Sequence, residues 1–238
     1  MEGRADGDRV VRPRVTGELR PGDAAYVAEL SPTDALARIS ELAASGRRVI
    51  LGLAGPPGAG KSTMARWLAE HSSIAIRIVP MDGFHLANAE LERLGTHSRK
   101  GAPETFDAAG YAALLSRIRA EDGTTIYAPT FDRSVDEAVA GAIPITPDDR
   151  FIVTEGNYLL RQSEGWRLVR PVLDEAWWID CSGEERRSRL VERHVRFGRE
   201  PADARRFVAE SDELNAALIA DDRARADRMI AQPPTPDT

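Results

Sequence analysis

Three places in the chain pair groups that could carry chemistry with an apolar run just before them. The first is "GPPGAGKST", Gly55, Pro56, Pro57, Gly58, Ala59, Gly60, Lys61, Ser62 and Thr63, after "RRVILGLA". It fits G-x-x-x-x-G-K-[ST], in which glycines let successive N–H groups turn toward phosphate oxygens. The start of the following helix adds partial positive charge. Lys61 would reach the β- and γ-phosphates of a nucleotide, and the Ser62 hydroxyl would ligate Mg²⁺. The second is "VPMDGFHL", where Asp82, Gly83, Phe84 and His85 close "IAIRIVP". Beside a phosphate loop, Asp82 could take the proton of an attacking hydroxyl or help to hold Mg²⁺. As a plain structural residue it would be a turn or helix-cap aspartate. His85 could hydrogen-bond an acceptor. The third is Glu155 of "FIVTEG", an acid after a buried strand that would act on Mg²⁺ directly or through water.

Further groups surround these. "GEERRSRLVERHVRFGR" spaces Arg186, Arg189, Arg193 and Arg196 by three and four, one stripe on a helix. Glu185 and Glu192 could neutralise part of it. Arg189 and Arg193 are like charges one turn apart, and an anion beneath a closing lid would relieve them. "SRKGAPETFD" (98–107) holds Arg99, Lys100 and Glu104, and "YAPTFDRS" holds Tyr127, Asp132 and Arg133. With Asn157 and Tyr158 they would line an acceptor pocket built from 82–85, 98–107, 127–133 and 155–158.

The elements that must position these groups alternate. Buried-strand runs at 47–55, 74–82, 151–156 and 175–181 are separated by helical stretches at 31–46, 61–72, 86–94, 107–120, 183–197 and 201–219. "ADRMIAQ" reads as a last edge strand, and 121–150 as short strands and turns. Trp177 and Trp178 should face opposite sides of the sheet as packing. Such alternation specifies an α/β fold with a parallel sheet of about five strands, and ligands in these folds sit at the carboxyl ends of the strands. Residues 1–30, rich in Arg, Gly, Asp and Pro, read as a partly disordered extension, and 232–238 as a tail.

Composition bounds the partners. With 238 residues, 42% hydrophobic and 29% charged, the chain can bury one large core. A net charge of -6 argues against nucleic acid or a membrane surface as the main partner. A lone cysteine, Cys181, excludes an intrachain disulfide framework. The amino terminus has no apolar signal core, so the expected location is the cytoplasm.

Taken together, "GPPGAGKST", "MDGFHL", "RKGAPETFD", "YAPTFDRS", "EGNYLL" and "DELNAALI" resemble the uridine kinase and pantothenate kinase branch of P-loop kinases. More narrowly they are similar to bacterial proteins labelled nucleoside/nucleotide kinase-like or fructose-transport-system kinases. "MDGFH" with "KGAPETFD" carries most of the resemblance, which covers about residues 32–231. It implies a three-layer P-loop sandwich over 31–231, with a substrate-binding insertion at about 83–150 and a helical lid at about 183–200. It also implies ATP- and Mg²⁺-dependent phosphoryl transfer to a hydroxyl of a small molecule, by a monomer or homodimer. On that likeness Asp82 matches the acid that activates the acceptor, Glu155 the acid of the "EG" turn, and Arg189 and Arg193 the lid cations. Asn215 matches an Asn-Ala pair near the nucleotide site of pantothenate kinases. Uridine kinases usually follow the acid with Ser-Phe-Tyr; Gly83-Phe84-His85 is closer to the Gly-Phe-Leu of pantothenate kinases. The alternative is a nucleotide-dependent switch or regulator, but the chain has no Asn-Lys dipeptide to start a guanine-reading motif.

Overall fold

A computed structural model of the chain describes residues 29–163 and 165–232. The central sheet is parallel and six-stranded, in the order β1-β8-β7-β2-β6-β3. These strands are β1 (Glu29–Leu30), β2 (Val49–Ala54), β3 (Ile76–Pro80), β6 (Phe151–Gly156), β7 (Glu175–Ile179) and β8 (Arg228–Ile230). Every residue of β2, β6 and β7 is buried, as an unbroken apolar run with helices on both faces requires. The pleat divides their side chains between two cores. Ile50, Ile152 and Trp178 enter one; Leu51, Val153 and Trp177 enter the other, so the paired tryptophans do point apart.

Two expectations about the sheet change. It has six strands rather than about five, because Glu29–Leu30, assigned above to the extension, pairs with β8. β8 is therefore not the edge but lies between β7 and β1. A two-residue strand is too short to show periodicity. Its anchors are the burial of Leu30 and a bond from Ala231 N–H to Leu30 O at 3.0 Å. The rest of the expected extension, residues 1–28, and the tail 233–238 lie outside the described residues.

Helices α1 (Pro32–Ala43), α2 (Lys61–His71), α3 (Asn88–Leu94), α4 (Ala108–Ala120) and α5 (Gly183–Arg196) fall where the periodicity places them. Ser31 starts α1 through a capping box with Asp34. The helix expected over 201–219 is broken into α6 (Pro201–Phe207), a widened π turn (Val208–Asp212) and α7 (Glu213–Leu218). Burial explains the break: the wider turn carries both Val208 and Asp212 inward.

The stretch 121–150 resolves into one antiparallel hairpin, β4 (Ile126–Asp132) and β5 (Glu137–Ile145), with an irregular register around Pro129. Pro129 has no N–H to give the ladder, so the pairing bulges there. Among the described residues no helix is long and apolar enough to cross a membrane.

Candidate active site

The strand order puts three chemically loaded strand ends side by side. β2 runs into the phosphate loop, β6 beside it carries Glu155 one residue before its end, and Asp82 lies in the turn just past the end of β3, beyond β6. The registers pair Leu53 with Glu155 and Pro80 with Glu155. Thr154 fastens β6 to β3: its Oγ1 donates to Val79 O at 2.6 Å and also meets the Tyr111 hydroxyl.

The phosphate loop wraps the start of α2. Gly60 precedes the helix with φ of +88° and no side-chain cap, so the first-turn N–H groups point toward the loop. Gly58 has φ of +79°, and a Cβ there would lie 2.8 Å from Arg186 Cγ, Arg186 O and Leu190 Cγ. Only glycine allows both the turn and the approach of α5.

Lys61 Nζ donates to Gly55 O and Pro56 O at 3.0 Å each and to Asn157 Oδ1 at 2.6 Å. Burial lowers its pKa to about 8, against the opposing pull of Glu155 and Asp82. Ser62 Oγ donates to Glu155 Oε1 at 2.7 Å. Burial, with the charge of Asp82 added, pushes Glu155 above the ordinary glutamate range despite Lys61 and Ser62. These hard oxygen donors fit Mg²⁺, which takes few protein ligands and keeps waters or phosphate oxygens. Among the described residues no group of three or more His, Cys, Asp or Glu gathers as a self-contained metal site.

The "MDGFHL" segment forms a tight turn, Met81–Phe84. Gly83 is buried, and a Cβ on it would overlap the Pro129 carbonyl; its φ is not positive. The glycine therefore admits the hairpin rather than bending the chain. Asp82 Oδ2 accepts from Arg133 Nη2 of that hairpin at 3.3 Å. His85 is not free to meet an acceptor through Nδ1, which donates to Asp82 O at 2.8 Å. Its ring lies 4.0 Å from Phe106 and 4.6 Å from Phe131, centroid to centroid, and burial lowers its pKa, which favours the neutral imidazole.

The remaining expected residues divide. Arg193 is electrostatically coupled to the same centre: burial lowers its pKa, the like charge of Arg133 adds to that, and Asp212, Asp82 and Glu155 act the other way. Arg189 bonds to Glu185 and, at 3.1 Å, to Gln232 Oε1, beside Gly60. Thr63 is exposed on α2. Arg99 is held at the surface by Glu104 at 2.8 Å. Lys100 is occupied by Asn88 Oδ1 at 2.6 Å and Asp136 Oδ2 at 2.8 Å.

Four of the expected residues have other partners in the structure. Phe84 is half-buried and packs on Tyr111 at the margin of the core. Tyr158 lies in an aromatic cluster with Phe106 and Trp166, and its hydroxyl donates to Gly101 O at 2.6 Å. Asn215 Nδ2 also reaches Gly101 O, at 3.4 Å, which puts it against the 98–107 loop. Tyr127 is exposed, opposite the core-facing Ile126 and Ala128.

Two groups with roles at the loop escaped the sequence reading. Arg186 is the buried member of the arginine stripe; it donates to Pro57 O at 3.1 Å and pairs with Glu213. Gln232 donates to Ala59 O at 2.6 Å and to Asp180 O at 3.1 Å. Spacing had marked Arg186 without ranking it, whereas nothing in the sequence marked Gln232.

No family model matches the chain. A Schizosaccharomyces pombe protein named "Putative uridine kinase C227.14" is 30% identical over 206 residues, 82% of this chain and 88% of its own. The Escherichia coli K12 protein YggC is 32% identical over 189 residues, covering 77% and 78%. Among solved structures, a "putative fructose transport system kinase" from Silicibacter sp. TM1040 is 35% identical, with a TM-score of 0.74 over 83% of this chain and 98% of that one. The Saccharomyces cerevisiae protein YFH7, at 19% identity and a TM-score of 0.71, shares the fold.

Proposed function

The chain belongs to the uridine kinase-like branch of the P-loop kinases, and we propose that it transfers the γ-phosphate of ATP to a hydroxyl of a small molecule. The observation that carries this reading is the row of Lys61, Ser62–Glu155 and Asp82 along three adjacent strand ends. A switch protein needs the phosphate loop and a metal acid. It does not need a further carboxylate on the next strand, set beside an aromatic-lined insertion.

In the proposed reaction the acceptor oxygen forms a bond to the γ-phosphorus as the bond from that phosphorus to the ADP oxygen breaks. The hydroxyl proton passes to Asp82. Lys61 and the loop N–H groups hold the phosphates, and Arg193 offsets charge spreading over the transferred group. Ser62 and Glu155 would hold Mg²⁺, which supplies further charge neutralisation at the phosphates.

The test is ADP formation from ATP with and without a panel of nucleosides, sugars and pantothenate-like alcohols. Turnover should depend on one acceptor class. Asp82→Asn should lower kcat on that acceptor by about 10²–10⁴-fold, the usual contribution of a general base. Hydrolysis indifferent to every acceptor would support the switch reading instead, and near-full turnover by Asp82→Asn would remove Asp82 as the base.

A further inference from the structure

Among the described residues, Arg133 on the acceptor hairpin is a cation with donors to spare. Lys100 is taken up by Asn88 and Asp136, Arg99 by Glu104, and the Nδ1 donor of His85 by Asp82 O. Arg133 differs. Among the described residues its side chain makes a single hydrogen bond, from Nη2 to Asp82 Oδ2 at 3.3 Å. A guanidinium carries five N–H donors. The rest of the group is placed by aromatic faces, with Phe131 and Phe197 each 5.9 Å from Cζ, and these contacts consume no donor. The side chain is 43% exposed, so a ligand can reach it.

The neighbouring charges sharpen this. Arg193 is largely buried and makes no hydrogen bond or ion pair among the described residues, and Arg133 is a like charge close enough to disfavour its ionised form. Two guanidinium groups thus converge on the space in front of Asp82. One is accounted for by the transferred phosphate in the reading above. The other has no assigned anion.

Resting on that kinase reading, we propose that the acceptor is itself an anion: a short hydroxy compound whose carboxylate or phosphate group is held by Arg133 while Asp82 holds its hydroxyl. The Asp82–Arg133 contact of 3.3 Å sets the reach. With one ordinary hydrogen bond on each side, the hydroxyl and the anionic oxygen lie at most roughly 9 Å apart. A short acceptor suffices to span that gap. The pair also works as an exchange. An anion that takes over Arg133 leaves Asp82 free to receive the hydroxyl proton, whereas a neutral acceptor leaves Asp82 engaged by the guanidinium. Arg133 is in this sense the specificity determinant, supplied by the hairpin to the acid on β3.

The test compares matched acceptors with the full chain, ATP and Mg²⁺: short hydroxy acids, phosphate monoesters of the same skeletons, and the neutral amides and polyols that correspond to them. The best anion should exceed its neutral counterpart in kcat/KM by about ten- to a hundredfold, the scale of one charge-assisted contact. That ratio should collapse toward unity in Arg133→Gln and be partly kept in Arg133→Lys, with melting temperatures confirming that both variants fold. The carboxylate and phosphate arms distinguish which anion is read. A neutral acceptor preferred by the unaltered protein would overturn the inference and leave the kinase reading standing. So would a ratio unmoved by Arg133→Gln. Acceptor-independent hydrolysis in every arm would overturn both.

Discussion

Lys61 is the residue whose environment makes the sharpest solution prediction. Burial lowers its pKa to about 8, so the free protein loses this charge within an accessible pH range. A bound polyphosphate favours the charged form and raises the value again. At a pH of about 8.5, nucleotide binding should therefore take up a fraction of a proton, seen as a binding enthalpy that varies with the buffer's ionisation enthalpy. Equal enthalpies across buffers would refute it, and Lys61→Met should abolish the uptake. Stability follows the same titration. Between the folded value of about 8 and the ordinary lysine value of 10.5, the unfolded lysine binds a proton that the folded one does not, so stability from this residue rises with pH across that window. At this scale Lys61 and Ser62 stood out through the glycine-rich loop that precedes them, and Asp82 and Glu155 because they lie at the end of a buried run, where backbone geometry presents a side chain to the ligand face. The Asp82–Arg133 contact was not legible: it joins positions 51 apart through a hairpin whose register the sequence leaves open. The contact of Asn215 with Gly101 O was not legible either, since a motif fixes identity and neighbours in sequence but not which carbonyl the amide finds.

Among the elements, the hairpin β4–β5 and the turn Met81–Phe84 depend on each other. Gly83 lets the Pro129 carbonyl come into contact with the turn, and the hairpin then carries Arg133 to Asp82. Gly83→Ala introduces a methyl group into backbone, which cannot rotate away as a side chain can. We expect it to cost about 1–3 kcal/mol, as overpacking does, and to raise acceptor KM more than ATP KM. A thermal melt and the two KM values check this; an unshifted melt with an unchanged acceptor KM would show that the hairpin is not seated through this contact. Helix α5 has a comparable division. Its first half is packed on the phosphate loop by Arg186 and Leu190 against Gly58, while Phe197 beyond its end is exposed. A closing motion of the kind a lid implies is left to the second half. The buried strands and long helices were legible from periodicity. β1 was not, being two residues long. Nor was the π turn, which is chosen by the burial of Asp212 against His194 at 2.9 Å.

Across the whole molecule, the two ends of the sheet are built for different purposes. The carboxyl ends hold exposed or costly groups, while the amino ends are closed by a fully satisfied charge network. Arg48, immediately before β2, is buried and donates to three carbonyls: Asp149 O at 2.8 Å, Ile118 O at 2.9 Å and Thr146 O at 2.8 Å. Asp174 receives Arg47, Arg119 and the Ile50 N–H beside it. Arg48 thus joins β2 to the end of α4 and to the turn that leads into β6. The length of β2 separates it from the phosphate loop by roughly 20 Å at the usual rise per residue. Arg48→Ala removes three side-chain bonds to carbonyls, of which Thr146 O keeps the Asp149 N–H, and should cost about 2–4 kcal/mol, a fall in Tm of roughly 4–16 °C for a domain of this size. Because no ligand-facing group moves, kcat/KM measured well below the new Tm should stay within about twofold of the unaltered protein, as expected for well-separated sites. Activity lost without a change in Tm would mean that the amino end of the sheet transmits strain along β2 to the site. The separation of stability from chemistry would then not hold for this fold.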